Sequence, residues 1–79
     1  MSQNPLKNIS LRTFRDFLLW EGLKNIQTEG GHEVWSRKDL RRPVILQTHI
    51  DPVPEFVVRN ALRTIEASKE DYIRFLRSK

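Results

Sequence analysis

A pair of glycines near the middle of the chain constrains the fold more than any other feature. Gly30 and Gly31 stand between two runs with strand character, 23–28 and 32–37. Because glycine adopts the positive φ angles that tight hairpin turns need, we expect these runs to pair as antiparallel strands. A richer β-type run, 44–49, follows a short polar reversal and predicts a third strand in the same sheet.

Apolar residues recur at helical spacing on both sides of this meander. The predicted helices cover 11–21, 54–66 and 69–77. Ser10 is a good N-cap for the first helix, and Gly22 is suited to end it. Pro54 suits the first position of the second helix. Ser68 and Asp71 resemble a capping box at the start of the third.

The predicted order α-β-β-β-α-α indicates an α+β fold with two layers. We expect a three-stranded antiparallel sheet with helices on one face, an arrangement similar to the double-stranded-RNA-binding domain at the level of fold only. With 79 residues, the chain is one domain with a thin core. We expect a flexible N-terminal lead over 1–9 and a single domain over 10–79. Function should lie on an open face rather than in a deep cavity.

Composition excludes several classes of site. The chain has no cysteine, so disulfides and thiolate metal sites are excluded. Its start does not resemble a signal peptide and no stretch is apolar enough to span a membrane, so we expect a cytoplasmic protein without membrane contact. The net charge is +4, and half of the excess falls within 32–49. That concentration favours a polyanionic ligand, although a solvated charged surface is an equally open interpretation.

The glycine pair is followed directly by an imidazole and then by a basic loop. His32 has the side chain whose ordinary pKa, about 6.5, suits acid–base work near neutral pH. The loop contributes Arg37, Lys38, Arg41 and Arg42. These cations would hold backbone phosphates, and the amides of Gly30 and Gly31 could approach one of them. That combination suits the handling of a phosphodiester. Where the ligand is RNA, its own 2′-OH serves as the nucleophile, and DNA, which lacks this group, would not be cleaved.

The order and spacing of several short motifs resemble the HicA family of bacterial toxins over about residues 10–77. The family's Gly-Ser-His signature with a following aromatic stands here as Gly30-Gly31-His32-Glu33-Val34-Trp35. Its C-terminal pattern stands as Leu62-Arg63-Thr64-Ile65 and Ser68-Lys69-Glu70-Asp71-Tyr72. His49 falls where members often carry a Pro-x-His at the end of the third strand. Three departures are Gly31 for serine, Glu33 for a second histidine, and Gln47 for proline.

The resemblance implies an mRNA interferase of a toxin–antitoxin system: a metal-independent endoribonuclease with no cofactor and a single catalytic histidine, which maps to His32. It also implies a HicB-like antitoxin partner that covers the active face, with DNA contacted only through that antitoxin. Glu33 would stand beside the site, where it would either weaken RNA binding or orient an imidazole.

Two further residues keep alternative interpretations. His49 is a candidate second acid–base group, or a strand-end histidine that closes the sheet. Trp35 is a candidate for stacking an unpaired RNA base. Alternation along the strand puts His32 and Val34 on one side of the sheet and Trp35 on the other. If Val34 belongs to the core, Trp35 lies on the open face. Packing of Trp35 under a loop is an equal alternative.

Two other functional classes compete with the nuclease. A non-catalytic RNA-binding module needs the basic loop but not His32. A helix-turn-helix DNA-binding domain would use the last two helices, but residues 50–79 carry six basic and five acidic side chains, which argues against it. A metal site formed by both histidines with Asp51 or Glu33 has no established ligand spacing and is disfavoured.

Overall fold

The computed structural model describes residues 4–78. Its elements are α1 (Leu11–Trp20), β1 (Lys24–Glu29), β2 (His32–Ser36), β3 (Val44–Gln47), α2 (Glu55–Thr64) and α3 (Lys69–Ser78). The predicted order α-β-β-β-α-α and the α+β class are confirmed, and no predicted boundary differs by more than two residues.

Local capping chemistry explains where the helices begin and end. The Ser10 hydroxyl accepts the amide of Thr13 at 3.1 Å, as an N-cap does. Gly22 ends α1 with φ of +88°, and its amide donates to a carbonyl of the last turn. At the start of α3, the Ser68 amide donates to the Asp71 carboxylate at 2.8 Å and the Asp71 amide donates to the Ser68 hydroxyl at 3.1 Å. The predicted capping box is therefore present.

The three strands form one antiparallel sheet in the order β1-β2-β3. His32 is opposite Glu29 on β1 and opposite Gln47 on β3. The strand side chains that face the helices are Glu33, Trp35, Val44 and Leu46, all buried. The residues between them, including His32, Ile45 and Gln47, point to the other face and are exposed. Both outer strands are edges, and β1 carries a bulge at Ile26.

One core lies between the helices and the covered face of the sheet. Its largest fully buried side chains are Phe14, Phe17, Leu6, Leu18, Leu23, Leu46 and Val58. The aromatic ring of Phe17 contacts Tyr72 edge-on at 5.1 Å between ring centroids, which joins α1 to α3. Trp20, at the exposed flank of α1, packs on Phe17 and on Phe75. No helix in the described part of the chain is long and apolar enough to cross a membrane.

The N-terminal segment corrects the predicted domain boundary at residue 10. Leu6 and Ile9 are core residues with 1% and 4% exposure. Ile9 also accepts the amide of Val53 at 2.8 Å across an isolated bridge. The described part of the predicted lead over 1–9 is thus packed into the domain, because its two apolar side chains fill the core beside α2. Residues 1–3 lie outside the described residues.

Candidate functional site: the histidines at the glycine turn

The predicted glycine turn joins β1 to β2 by two residues. Gly30 and Gly31 have φ of +58° and +80°, the positive values that a two-residue hairpin turn requires at both positions. Glu29 and His32 are therefore direct cross-strand neighbours. Since the amides of the two central turn residues lie outside the strand ladder, the turn presents them at the end of the sheet next to His32.

His49 packs against this turn although it is distant in sequence. The amide of Thr48 donates to the Gly31 carbonyl at 2.8 Å, and its hydroxyl donates to the same oxygen at 3.2 Å. A methyl group added at Gly31 would lie 3.4 Å from the His49 Nδ1 atom. The Asp51 carboxylate accepts the Leu11 amide at 3.0 Å. The segment 48–51, which carries His49, is therefore held by the turn at one end and by the start of α1 at the other. His32 and His49 are both exposed and share one end of the sheet.

The register adds two polar neighbours that sequence reasoning missed. Glu29 and Gln47 flank His32 on either side in the same cross-strand row. Side chains directly opposite each other in antiparallel strands have Cβ atoms about 4.5–5.5 Å apart, so Glu29 and Gln47 are the nearest cross-strand neighbours of His32. The Glu29 carboxylate itself accepts a hydrogen bond from the Gln27 side-chain amide at 2.9 Å. The signal for Glu29 was present in the sequence, because a two-residue turn at the glycines places it opposite His32.

Glu33 lies on the other face of the sheet, so both roles expected for it beside the imidazole are wrong. Its carboxylate is 7% exposed and accepts two hydrogen bonds from Arg15, at 3.0 and 2.7 Å. It also accepts the indole N–H of Trp35 at 3.0 Å. Burial alone would raise the pKa of Glu33, but the hydrogen bonds from Arg15 and Trp35 and the Arg15 charge outweigh it and lower that pKa.

Trp35 is a core residue, so its predicted place on the open face is wrong. The side chain is 4% exposed, and its ring is not available to stack an RNA base. Packing, the alternative left open by the sequence, is confirmed. Val34 is only partly buried, because the helices cover the face of β2 that carries Glu33 and Trp35 rather than the face that carries Val34.

The basic loop lies at the far end of the sheet from His32. Residues 37–43 connect the end of β2 to the start of β3, whereas the glycine turn precedes β2. At about 3.3 Å per strand residue, Arg37 is roughly 16 Å from His32 along β2. The loop and His32 are therefore close in sequence but lie at opposite ends of β2. The expected role of these cations, to hold backbone phosphates, stays a prediction and would concern phosphates away from His32.

Within this loop, Arg37 has a structural role. Its guanidinium bonds to the Asp39 carboxylate at 2.6 Å and donates to the Glu21 main-chain carbonyl at the end of α1. This pairing fixes the loop to α1 and satisfies the charge that was expected to bind RNA.

Lys38, Arg41 and Arg42 remain exposed. Arg41 and Arg42 line an open cleft of ≈ 760 Å³ between the loop and the C-terminal part of α2. Arg63 and the paired Arg37 bring the number of arginines there to four, and Asp39 and Glu66 contribute carboxylates. The cleft is a cationic surface separate from the two histidines.

Among residues 4–78, no three His, Asp or Glu side chains are grouped to hold a metal ion. Comparisons with protein-family models, with curated proteins and with solved structures returned no match for this chain. The chemistry of the histidine end of the sheet therefore stands on its geometry and on the motif resemblance described above.

Proposed function

We propose that this chain is an endoribonuclease of the mRNA-interferase kind, with His32 and His49 as its acid–base pair. The observation that carries the proposal is the convergence of two exposed imidazoles on one glycine turn, with Glu29 opposite His32. The turn supplies two small residues at the point where an RNA backbone would approach, and the space at Gly30 is open. The resemblance of Gly30-Gly31-His32 to the HicA signature supports the same assignment.

The proposed reaction uses the 2′-OH of the substrate as nucleophile. His32 takes the 2′ proton, the 2′ oxygen attacks the adjoining phosphorus, and the bond to the 5′ oxygen breaks. His49, in its protonated form, donates a proton to that leaving oxygen. The products are a 2′,3′-cyclic phosphate and a 5′-hydroxyl. The outward amides of Gly30 and Gly31 stabilise charge on the phosphate.

The wider biological role rests on the resemblance. We infer a toxin that acts on mRNA in the cytoplasm and is held inactive by a HicB-like antitoxin. The order α-β-β-β-α-α and the helices on one face of the sheet support a fold of the double-stranded-RNA-binding kind. In this proposal Lys38, Arg41 and Arg42 contact RNA only outside the cleaved linkage.

A non-catalytic RNA-binding module is the second candidate function. It is favoured by one observation: the exposed cations form a cleft of their own, about 16 Å or more from the histidines. In that case the cleft would bind RNA without any contribution from His32.

Cleavage of a single-stranded RNA in EDTA tests the proposal. The variants are His32→Asn, His49→Asn and, as control at an exposed position on α3, Glu70→Gln. We expect both histidine variants to lose about 10²–10⁴-fold in rate, the usual contribution of a general acid or base, while the control keeps its rate. A substrate with 2′-deoxyribose at the cleaved position should resist cleavage.

The outcomes separate the candidates. Equal cleavage by wild type and His32→Asn removes His32 from the mechanism and refutes the proposal. RNA binding that is lost on Arg41→Ala, with no cleavage by any form, supports the second candidate instead.

A further inference from the structure

The strand β3 is an open edge with a defined set of unpaired backbone groups. Because the amide of Thr48 donates to Gly31, which directly precedes β2, alternation along the chain directs the backbone groups of Val44 and Leu46 toward β2 as well. Ile45 and Gln47 consequently direct their backbone groups away from the sheet. The Gln47 carbonyl accepts the Ile50 amide at 3.4 Å. The N–H and C=O of Ile45 and the N–H of Gln47 are thus directed to whatever lies beside β3.

An apolar groove lies along this edge, between β3 and α2. Its lining includes Ile45, Ile50, Phe56 and Val57, with a volume of ≈ 180 Å³ at the start of α2 and ≈ 220 Å³ beside its middle. Phe56 is 68% exposed and Ile45 is 45% exposed, which is unusual for side chains of this size. On α2 the groove borders the core, since Ala61 is a core residue and Val57 packs partly against the core.

The groove continues into the cationic cleft. Asn60 and Thr64 line the apolar groove beside the middle of α2 and also line the cleft of Arg41, Arg42 and Arg63. A chain lying along β3 would therefore have apolar contacts at the His49 end of the strand. It would meet guanidinium groups at the Pro43 end.

We propose that this edge binds an extended peptide segment of a partner protein, which adds as a fourth strand next to β3. The segment has apolar side chains over Phe56 and Val57 and acidic residues at the end that reaches Arg41 and Arg42. Charge complementarity and the free backbone groups of Ile45 together specify this occupant. RNA offers no main-chain ladder to a strand edge, and a second copy of this chain carries the same excess of positive charge. The proposal is independent of the nuclease activity.

Amide hydrogen exchange of the whole chain tests this docking mode. The probe is a synthetic peptide of about eight residues with two aspartates at one end, followed by alternating valine and threonine. At saturation we expect the amides of Ile45 and Gln47 to exchange at least about tenfold more slowly, since each gains a hydrogen-bond partner. A peptide with lysines in place of the aspartates should bind at least about tenfold more weakly.

Variants and controls distinguish an added strand from other contacts. Ile45→Pro removes the outward amide together with the Ile45 side chain and should abolish binding, whereas Ile45→Ala, which keeps the amide, should only weaken it. Phe56→Ala should weaken binding by roughly tenfold. Arg42→Glu should weaken it comparably. Ile26→Ala, an exposed apolar residue on the opposite edge strand, and Arg77→Glu, an exposed arginine on α3, are matched controls that should bind as wild type does.

Three results would overturn the proposal. The first is unchanged exchange at Ile45 and Gln47 with bound peptide. The second is the same protection produced by a single-stranded RNA, which would assign the groove to nucleic acid. The third is protection that appears without peptide as protein concentration rises, which would assign the edge to a second copy of the chain.

Discussion

The buried pair formed by Arg15 and Glu33 gives the strongest prediction about stability. Glu33 is 7% exposed and accepts two bonds from Arg15 and one from Trp35. We consider Arg15→Met, which keeps the aliphatic stem and removes the guanidinium. The substitution leaves a buried carboxylate with Trp35 as its remaining partner, so the variant should be destabilised.

The size of the effect follows from burial. Removing one partner of a fully buried ion pair costs about 3–5 kcal/mol. The Arg15 side chain is 34% exposed, so water hydrates part of the site and the expected cost falls to about 2–3 kcal/mol. For a domain of this size that corresponds to a decrease in Tm of roughly 10–20 °C.

The double variant Arg15→Met/Glu33→Met provides the sharper comparison. It removes the buried charge and leaves only the Trp35 N–H without an acceptor, at a cost of about 1 kcal/mol. The double variant should therefore be more stable than the single variant Arg15→Met. Arg12→Met, on the exposed side of α1, is the control and should change stability by less than about 0.5 kcal/mol.

Urea denaturation at pH 7, followed by circular dichroism, measures all three variants. A free energy of unfolding for Arg15→Met within about 0.5 kcal/mol of wild type would refute the reasoning, as would a double variant less stable than the single one. At low pH the deficit of Arg15→Met should shrink, because protonation of Glu33 removes the unpaired charge.

Three further predictions concern the pH dependence, the turn and the basic loop. The folded-state pKa of Glu33 is lowered, so the contribution of the Glu33 carboxylate to folding stability is complete above its unfolded pKa of about 4.3 and is lost as pH falls through the folded value. Glu33→Gln should therefore reduce the loss of stability in acid, measured by urea titrations. The same variant should leave the RNA-cleavage rate unchanged. Gly30→Ala and Gly31→Ala should each lower the free energy of unfolding by about 1–2 kcal/mol, because both positions have positive φ. Only Gly31→Ala should shift the imidazole NMR signals of His49, which packs against Gly31. Equal shifts in the two variants would contradict this packing. Arg37→Ala should lower the free energy of unfolding by about 1 kcal/mol in thermal denaturation, and Arg41→Ala by less than about 0.5 kcal/mol. Equal effects would refute the structural role of Arg37 in fixing the loop to α1.

The order of elements and their ends could be predicted because they depend on local chemistry. Capping by Ser10, the positive φ of Gly22 and the reciprocal bonds of Ser68 with Asp71 each involve residues close in sequence. The glycine turn likewise fixes the pairing of β1 with β2, since two residues with positive φ leave one hairpin register.

The two faces of the sheet could not be assigned from the sequence. Strand alternation groups Glu33 with Trp35 and His32 with Val34, but it does not say which group meets the helices. In the structure the helices cover the face that carries Trp35, and Arg15 on α1 pairs with the Glu33 carboxylate, which makes the burial of that charge tolerable. The prediction took Val34 as the core residue and Glu33 as exposed, and because Trp35 shares a face with Glu33, it was placed on the wrong side of the sheet.

By itself, the sequence determined the hairpin, the helix boundaries and the exposed histidine at the turn, because each depends on neighbours a few residues away. Only the tertiary structure brought His49 onto Gly31, through the bonds of Thr48, and separated His32 from the basic loop. The physical reason is strand geometry. An antiparallel sheet joins residues far apart in sequence across its ladder, and it carries residues a few positions apart along one strand to opposite ends.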